Sequence, residues 1–369
     1  MDNLVNSTIT AVDVKDNLSG SSNATMPVMP DYISVTSTLL YVIIFIVGII
    51  GNGLVITVVA INKDMRNSTN TFLVNLAVAD LLVILICMPP ALAEIFSKDQ
   101  WFFGEVMCKL VPFLEGTASN ASVIAMLIIG IERFQAICFP LKLRNNKLFS
   151  KTTKLVTVVG LWVFSMLSSA PFLIIAVYRG SRYKDGTPIK VCRLNMVEAW
   201  EKYFILGTFL VFFVMPFLVL AILYIILGKT IAIEHNVFKD ATNGRNQKKR
   251  VNTTRQVVVM VSIVTILFFI CNLPYRVFSL WVMYAPRGAI QRLGFESYWS
   301  LLCFGRIMLY TNSCINPVIY NMVSTKFRRA FNSYLFRRRN TYHSEAGTTY
   351  NCYPTGTTIM LKKRSFSVQ

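Results

Sequence analysis

Residues 203–228 read YFILGTFLVFFVMPFLVLAILYIILG, 26 consecutive residues without a charge, bracketed by Lys202 and Lys229. A bilayer core about 30 Å thick is crossed by about 20 apolar residues in a helix. The run is therefore long enough to span a membrane. Three more uncharged runs have the same character: 31 residues between Asp31 and Lys63, 24 between Lys154 and Arg179, and 20 between Arg255 and Arg276.

Three further runs are apolar but carry isolated charges. They are 70–93 with Asp80, 109–139 with Glu115 and the Glu132–Arg133 pair, and 298–322 with Arg306. Seven spans result, predicting an all-α seven-transmembrane helix bundle. Composition agrees. Apolar residues are 54% of the 369 and charged residues 15%, against roughly 25% charged in soluble domains. The formal charge of +19 points to nucleic acid or to membrane. The apolar runs select the membrane, and no nucleic-acid partner is expected. A transporter would show more spans and paired half-sequence repeats, and neither is present.

The chain divides into a polar tail 1–35, the bundle 36–322, an amphipathic segment 323–337 and a second tail 338–369. No cleavable leader is expected in the first tail, which carries sequons at Asn6, Asn17 and Asn23, as expected of a glycosylated extracellular segment. Asn67 and Asn252 also begin sequons but fall on the opposite predicted side. With the N-terminus outside, inner segments hold 20 Lys and Arg and outer segments 11, the bias that sets orientation. The expected location is the plasma membrane, multi-pass, with the C-terminus cytoplasmic.

Cys108 ends the third span on the outer side and Cys192 lies in the second outer loop. Both face an oxidising compartment, where disulfides persist, and they are predicted to pair. Cys87, Cys138, Cys271, Cys303 and Cys314 read as small buried hydrophobes. No metal-ligand spacing and no catalytic set occurs, so an enzyme is not expected. His235 and His343 are the only histidines.

Polar groups inside a membrane are costly and mark function. Asn52, Asp80, Ser122, Asn312 and Asn316 lie at depths that can converge on a water cluster or a sodium ion, or serve as hydrogen-bonding glue between helices. Glu132-Arg133-Phe134 ends the third span, either as an ion pair that opens and closes or as a snorkelling interfacial arginine. Asn316-Pro317-Val318-Ile319-Tyr320 ends the seventh span, where Pro317 permits a bend. Pro171, Pro216 and Pro274 place further bends. From Ser324 to Phe336, Phe327, Phe331, Tyr334 and Leu335 share one face of a basic helix suited to the inner membrane surface. Toward the outer side stand Glu94, Glu115, Tyr275, Arg276, Arg306 and Tyr310. Buried charges must pair or bind something. The alternatives are an internal Glu115–Arg306 salt bridge and ligand recognition.

In this order and spacing, Gly51-Asn52, Leu76-Ala77-Val78-Ala79-Asp80, Cys108, Glu132-Arg133-Phe134, Trp162, Cys192, Pro216 with Tyr224, Cys271-Asn272-Leu273-Pro274 and Asn316 to Tyr320 resemble the rhodopsin-like G-protein-coupled receptors, from about residue 36 to 336. Met65 to Asn70, Cys108 to Glu115, Leu273 to Val277 and Gly305 to Ser313 are similar to the ecdysis-triggering hormone receptors of arthropods. That group is similar to the thyrotropin-releasing hormone receptors and, further off, to the ghrelin and neuromedin U receptors. The resemblance implies an amidated peptide ending in Pro-Arg-X-amide, a basic ligand group at Glu115 or Glu94, and an amide or carbonyl at Arg306. It also implies a Gq partner, calcium mobilisation, and arrestin and receptor kinases acting on the tail. The implied switch comprises Glu132, Arg133, Tyr224, Phe268, Pro317 and Tyr320, with Phe268, Pro216 and Val123 as the core that repacks. Once the inner end of span six moves outward, Arg133, Tyr224 and Tyr320 are expected to line an inner cleft for a G-protein helix. The chain departs from the pattern at Glu132, Phe134 and Asn272, where Asp, Tyr and Trp are usual. An opsin is excluded, because no lysine lies between Tyr298 and Tyr320. A small-molecule amine receptor would carry aspartate in place of Glu115.

Overall fold

A computed structural model describes residues 29–97, 100–139, 151–182, 187–239, 245–286 and 288–335. The first long helix, α1, is Asp31–Ile61. A 3-10 turn at Lys63–Met65 leads into α2, Ser68–Phe96. Asn67 starts α2 in extended conformation, and its side chain accepts from the Asn70 backbone N–H. This asparagine therefore serves as an N-cap. The Asn70 side chain donates back to the Met65 carbonyl at 2.7 Å, which accounts for the Met65–Asn70 motif as a folded corner.

α2 contains a π-helical turn at Val83–Cys87, directly before Met88-Pro89-Pro90. A proline lacks an N–H and clashes with the carbonyl four residues back. Inserting a wide turn relieves that clash and rotates everything beyond it, including Glu94. The same device precedes Pro216 in α5, which continues unbroken through Ala199–Phe209, the π-helical Leu210–Val214 and Met215–Lys239.

α3 is Gly104–Cys138 and α4 is Lys151–Ser169. At Pro171 the chain turns through Phe172–Ile175 into β1, Ala176–Arg182. β1 pairs antiparallel with β2, Pro188–Leu194, with Tyr178 opposite Cys192. The second loop is thus a hairpin. It is held to α3 by the Cys108–Cys192 disulfide, as expected, and to the preceding loop by Trp101 N–H donating to the Lys190 carbonyl at 2.8 Å. α6 is Arg245–Tyr284, α7 is Phe295–Val323 and α8 is Thr325–Leu335. The Tyr32 hydroxyl of α1 donates to Glu296 of α7, joining the bundle's first and last spans at the hairpin end.

α1 to α6 contain the six helices long and apolar enough to cross a membrane. α7 is 29 residues long but carries Glu296, Arg306 and a polar run at Thr311–Ser313. Its polar residues turn inward: Asn312, Ser313 and Asn316 are buried, whereas Leu301, Phe304, Val318 and Met322 are exposed. It packs between α1 and α6 as the seventh span. The outer surface inverts the soluble pattern. Ile43, Ile46, Ile50, Val156, Val159, Phe217 and Ile222 are exposed, a continuous apolar coat that only lipid covers favourably.

Two glycines set close approaches. A Cβ on Gly51 would meet Pro317 at 2.9 Å, and one on Gly305 would meet the Tyr275 backbone at 3.1 Å. α7 therefore lies tight against α1 and α6, and Gly305 places Arg306 directly beside Tyr275. α8 folds under the bundle with Phe327 and Phe331 buried, but Tyr334 and Leu335 are exposed. The predicted shared apolar face is thus split. Phe327 and Phe331 pack with Tyr320, whereas the exposed Tyr334 and Leu335 are left for lipid.

Candidate functional site

Three layers of polar groups run through the bundle. At the hairpin end, α2 supplies Glu94, α3 Glu115 and Ser119, α6 Tyr275 and Arg276, and α7 Arg306 and Tyr310. All six residues expected there lie together. Arg306 Nη1 donates to Glu94 Oε2 at 2.8 Å, so the internal Glu115–Arg306 salt bridge, one of the two alternatives, is not formed. The π-helical turn in α2 precedes Glu94 and changes its rotation about the helix axis, which a regular-helix spacing does not anticipate. Arg276 Nη2 donates to Ser119 Oγ at 3.0 Å. Arg306 and Arg276 both act electrostatically on Glu115, yet among the described residues Glu115 makes no hydrogen bond or ion pair. The four charges balance.

The wall on the α1 side is aromatic. Tyr310 donates to the Cys87 carbonyl at 3.5 Å, and its ring meets Tyr41 edge-on at 5.5 Å. Sequence reasoning missed Tyr41 and Ser119. A tyrosine in an apolar span needs a partner for its hydroxyl, which was the available signal for Tyr41. Ser119 lies one helical turn after Glu115, which was the signal for it.

In the middle layer, Asn316 Nδ2 donates to Asp80 Oδ2 at 2.9 Å, and Ser313 also acts on that carboxylate. Asn52 donates to the Gly48 and Ser313 carbonyls. The Oδ1 atoms of Asn52 and Asn312 are buried without partners. Ser122 is buried on α3, but no hydrogen bond joins it to Asp80. Asn75, not singled out from the sequence, accepts from the Trp162 indole at 2.7 Å and ties α2 to α4.

At the opposite end, Arg133 pairs with Glu132 at 3.3 Å, and the Thr69 hydroxyl donates to the other Glu132 oxygen at 3.4 Å. Tyr224 shares a 3.3 Å hydrogen bond with Thr265. The Tyr320 hydroxyl is buried without a partner, as is Arg133 Nε. Arg133, Tyr224 and Tyr320, expected to line a cleft once the inner end of α6 has moved outward, are in this conformation each held by a neighbour or packed away. Phe268 and Val123 are buried in one core with Phe213, Leu220 and Phe269, and Pro216 is buried alongside α5's inner face. Asn272, which stands where tryptophan is usual, donates to the Phe268 carbonyl of its own helix at 2.8 Å. The sequons at Asn6, Asn17 and Asn23, the side chains of Lys248, Lys249 and Arg250, and the tail beyond Leu335 lie outside the described residues.

The structure is thus a seven-helix membrane bundle with a disulfide-pinned hairpin over a balanced charge cluster at one end and an Arg133–Glu132 pair at the other. The chain belongs to the rhodopsin family of seven-transmembrane receptors, whose pattern matches residues 51–320. It is a multi-pass membrane protein and a receptor, not an enzyme. It is similar to the neuropeptide CCHamide-1 receptor of Drosophila melanogaster, with 32% identity over 81% of this chain and 60% of that protein. The thyrotropin-releasing hormone receptor of Gallus gallus is 31% identical over 86% of this chain and 84% of that protein. Galanin receptor 2b of Danio rerio is 32% identical over 81% and 74%.

Proposed function

We propose that this chain is a G-protein-coupled receptor for a short amidated neuropeptide of the ecdysis-triggering type, ending in Pro-Arg-X-amide, and that it signals through Gq and calcium. The observation that carries the reading is the pairing in the hairpin-end cluster. Glu94 is already neutralised by Arg306, whereas Glu115 has no direct partner. An arginine side chain of the ligand pairs with Glu115, and the terminal amide carbonyl accepts from Arg306. Tyr275, Arg276 and Tyr310 complete the walls. Relatives named as receptors for CCHamide-1 and thyrotropin-releasing hormone support a peptide ligand. The balanced charge of the cluster also suits an uncharged amidated peptide, which makes a thyrotropin-releasing hormone-like ligand the second reading.

In this reading the hairpin end faces outward, with glycans at Asn6, Asn17 and Asn23, and the C-terminus lies in the cytoplasm. The ligand selects a state in which the inner end of α6 moves outward and the Phe268–Val123–Pro216 core repacks. Arg133 then leaves Glu132 and meets a G-protein helix together with Tyr224 and Tyr320, while Pro317 lets the end of α7 bend. Arrestin and receptor kinases act on the tail, and α8 lies on membrane lipids. A sodium ion beside the Asp80 carboxylate, held by Asp80, Ser122, Asn312 and Asn316, belongs to the same reading, and the buried Oδ1 of Asn312, which has no partner, supports it. Such an ion supplies the positive charge that a mid-membrane carboxylate needs.

The test is intracellular calcium in cells expressing the chain, challenged with Pro-Arg-X-amide peptides and thyrotropin-releasing hormone. A response that falls in Glu115→Gln and Arg306→Ala at normal surface expression supports ligand class and site. Silence to the whole panel removes the ligand assignment.

A further inference from the structure

The Tyr41 hydroxyl is the least explained polar group near the ligand cluster. Tyr41 is 1% exposed, and its hydroxyl has no hydrogen-bond partner. A buried hydroxyl without a partner is expensive, and nothing in α1 requires one there. Its position is specific. Ser37 and Tyr41 form one buried face of α1, on which Ser37 interacts with Cys303 and the Tyr41 ring packs on Tyr310. Arg306 lies between Cys303 and Tyr310 on α7. Both Arg306 and Glu94 act electrostatically on Tyr41.

We infer that Tyr41 is a positioning residue of the ligand site, which donates to Glu94 whenever Arg306 is drawn away from it. The inference rests on the reading of Arg306 as a ligand contact. In the present arrangement Arg306 satisfies Glu94. A ligand carbonyl that takes Arg306 leaves a half-buried carboxylate short of a donor, and a phenol is a strong donor to a carboxylate. The waiting hydroxyl lowers the cost of opening the pair. The arrangement also defines the ligand group: an uncharged acceptor such as a primary amide, because a carboxylate would bring a second anion against Glu94.

The test is a cycle on the purified full-length receptor that needs no ligand. Arg306→Ala mimics the opened pair. Tyr41→Phe is expected to leave Tm unchanged or raise it in the natural chain, where the hydroxyl has no partner, and to lower it by about 3–6 °C in the Arg306→Ala background. Equal shifts in both backgrounds overturn the inference. In the calcium assay with thyrotropin-releasing hormone and Pro-Arg-X-amide peptides, Tyr41→Phe is expected to reduce potency about 10-fold, and to have no effect once Glu94→Gln is present. The same loss in the Glu94→Gln background overturns it. If Arg306→Ala leaves potency unchanged while the thermal coupling persists, the Tyr41–Glu94 contact stands and the ligand reading of Arg306 falls.

Discussion

Arg306 of α7 and Glu94 of α2 form a 2.8 Å ion pair across the ligand cluster, while Glu115 of α3, which both cluster arginines act on, remains without a direct partner. The side chains of Arg306 and Glu94 are 18% and 32% exposed, so the pair is partly screened. Removing one partner still strands a charge at membrane depth. Glu94→Gln is expected to cost about 1–3 kcal/mol, read as a lowered Tm in detergent. The exchange Glu94→Arg with Arg306→Glu restores most of it, and a double variant no more stable than either single one refutes the pair.

Glu115 has the opposite role. Its loss removes a carboxylate that has no direct partner but also the counter-charge of Arg276, so Glu115→Gln is expected to change stability little. Potency for a Pro-Arg-X-amide peptide falls about 10- to 100-fold. The same peptide with citrulline in place of arginine, which is isosteric and uncharged, is expected to respond equally in both receptors. A citrulline peptide as sensitive to Glu115→Gln as the arginine peptide shows that no charge pair forms there.

Glu132 holds Arg133 with help from Thr69. Glu132→Gln keeps the shape and removes the charge, so ligand-independent signalling is expected to rise several-fold, with Thr69→Val giving a smaller rise. Unchanged basal inositol phosphate in Glu132→Gln at matched surface expression counts against the lock.

Asp80 accepts from Asn316 in the middle layer. Replacing sodium by a bulky organic cation is expected to change agonist affinity in the natural receptor and to have no effect in Asp80→Asn. Equal sodium dependence in both places the ion elsewhere.

Gly305 permits the contact of α7 with the Tyr275 backbone, where an added Cβ would sit at 3.1 Å. Backbone cannot yield as a side-chain tip does. Gly305→Ala is expected to cost about 1–3 kcal/mol and to reduce potency through the displaced Arg306. Gly53→Ala, where a Cβ meets nothing within 4 Å, is the neutral control.

Chain sequence alone determined the number of spans, the disulfide and the charged residues of the cluster, though not Ser119 or Tyr41. Those rest on local rules: a run of about 20 uncharged residues has one stable form in lipid, and a charge inside such a run is too costly to lack a task. Sequence did not determine which charge pairs with which. Glu115 and Arg306 both looked close to the same depth, but Arg306 pairs with Glu94, which follows the π-helical turn before Pro89, and the rotation such a turn adds is invisible to spacing counted along a regular helix. Nor did it determine the hairpin at 176–194, whose strands are too polar and short to declare themselves before the disulfide and Trp101 hold them. The state of the far-end lock is likewise a tertiary property. Tyr224 and Tyr320 are legible as polar groups in apolar spans, but only the packed neighbours, Thr265 and Phe327, decide that neither meets Arg133 in this conformation.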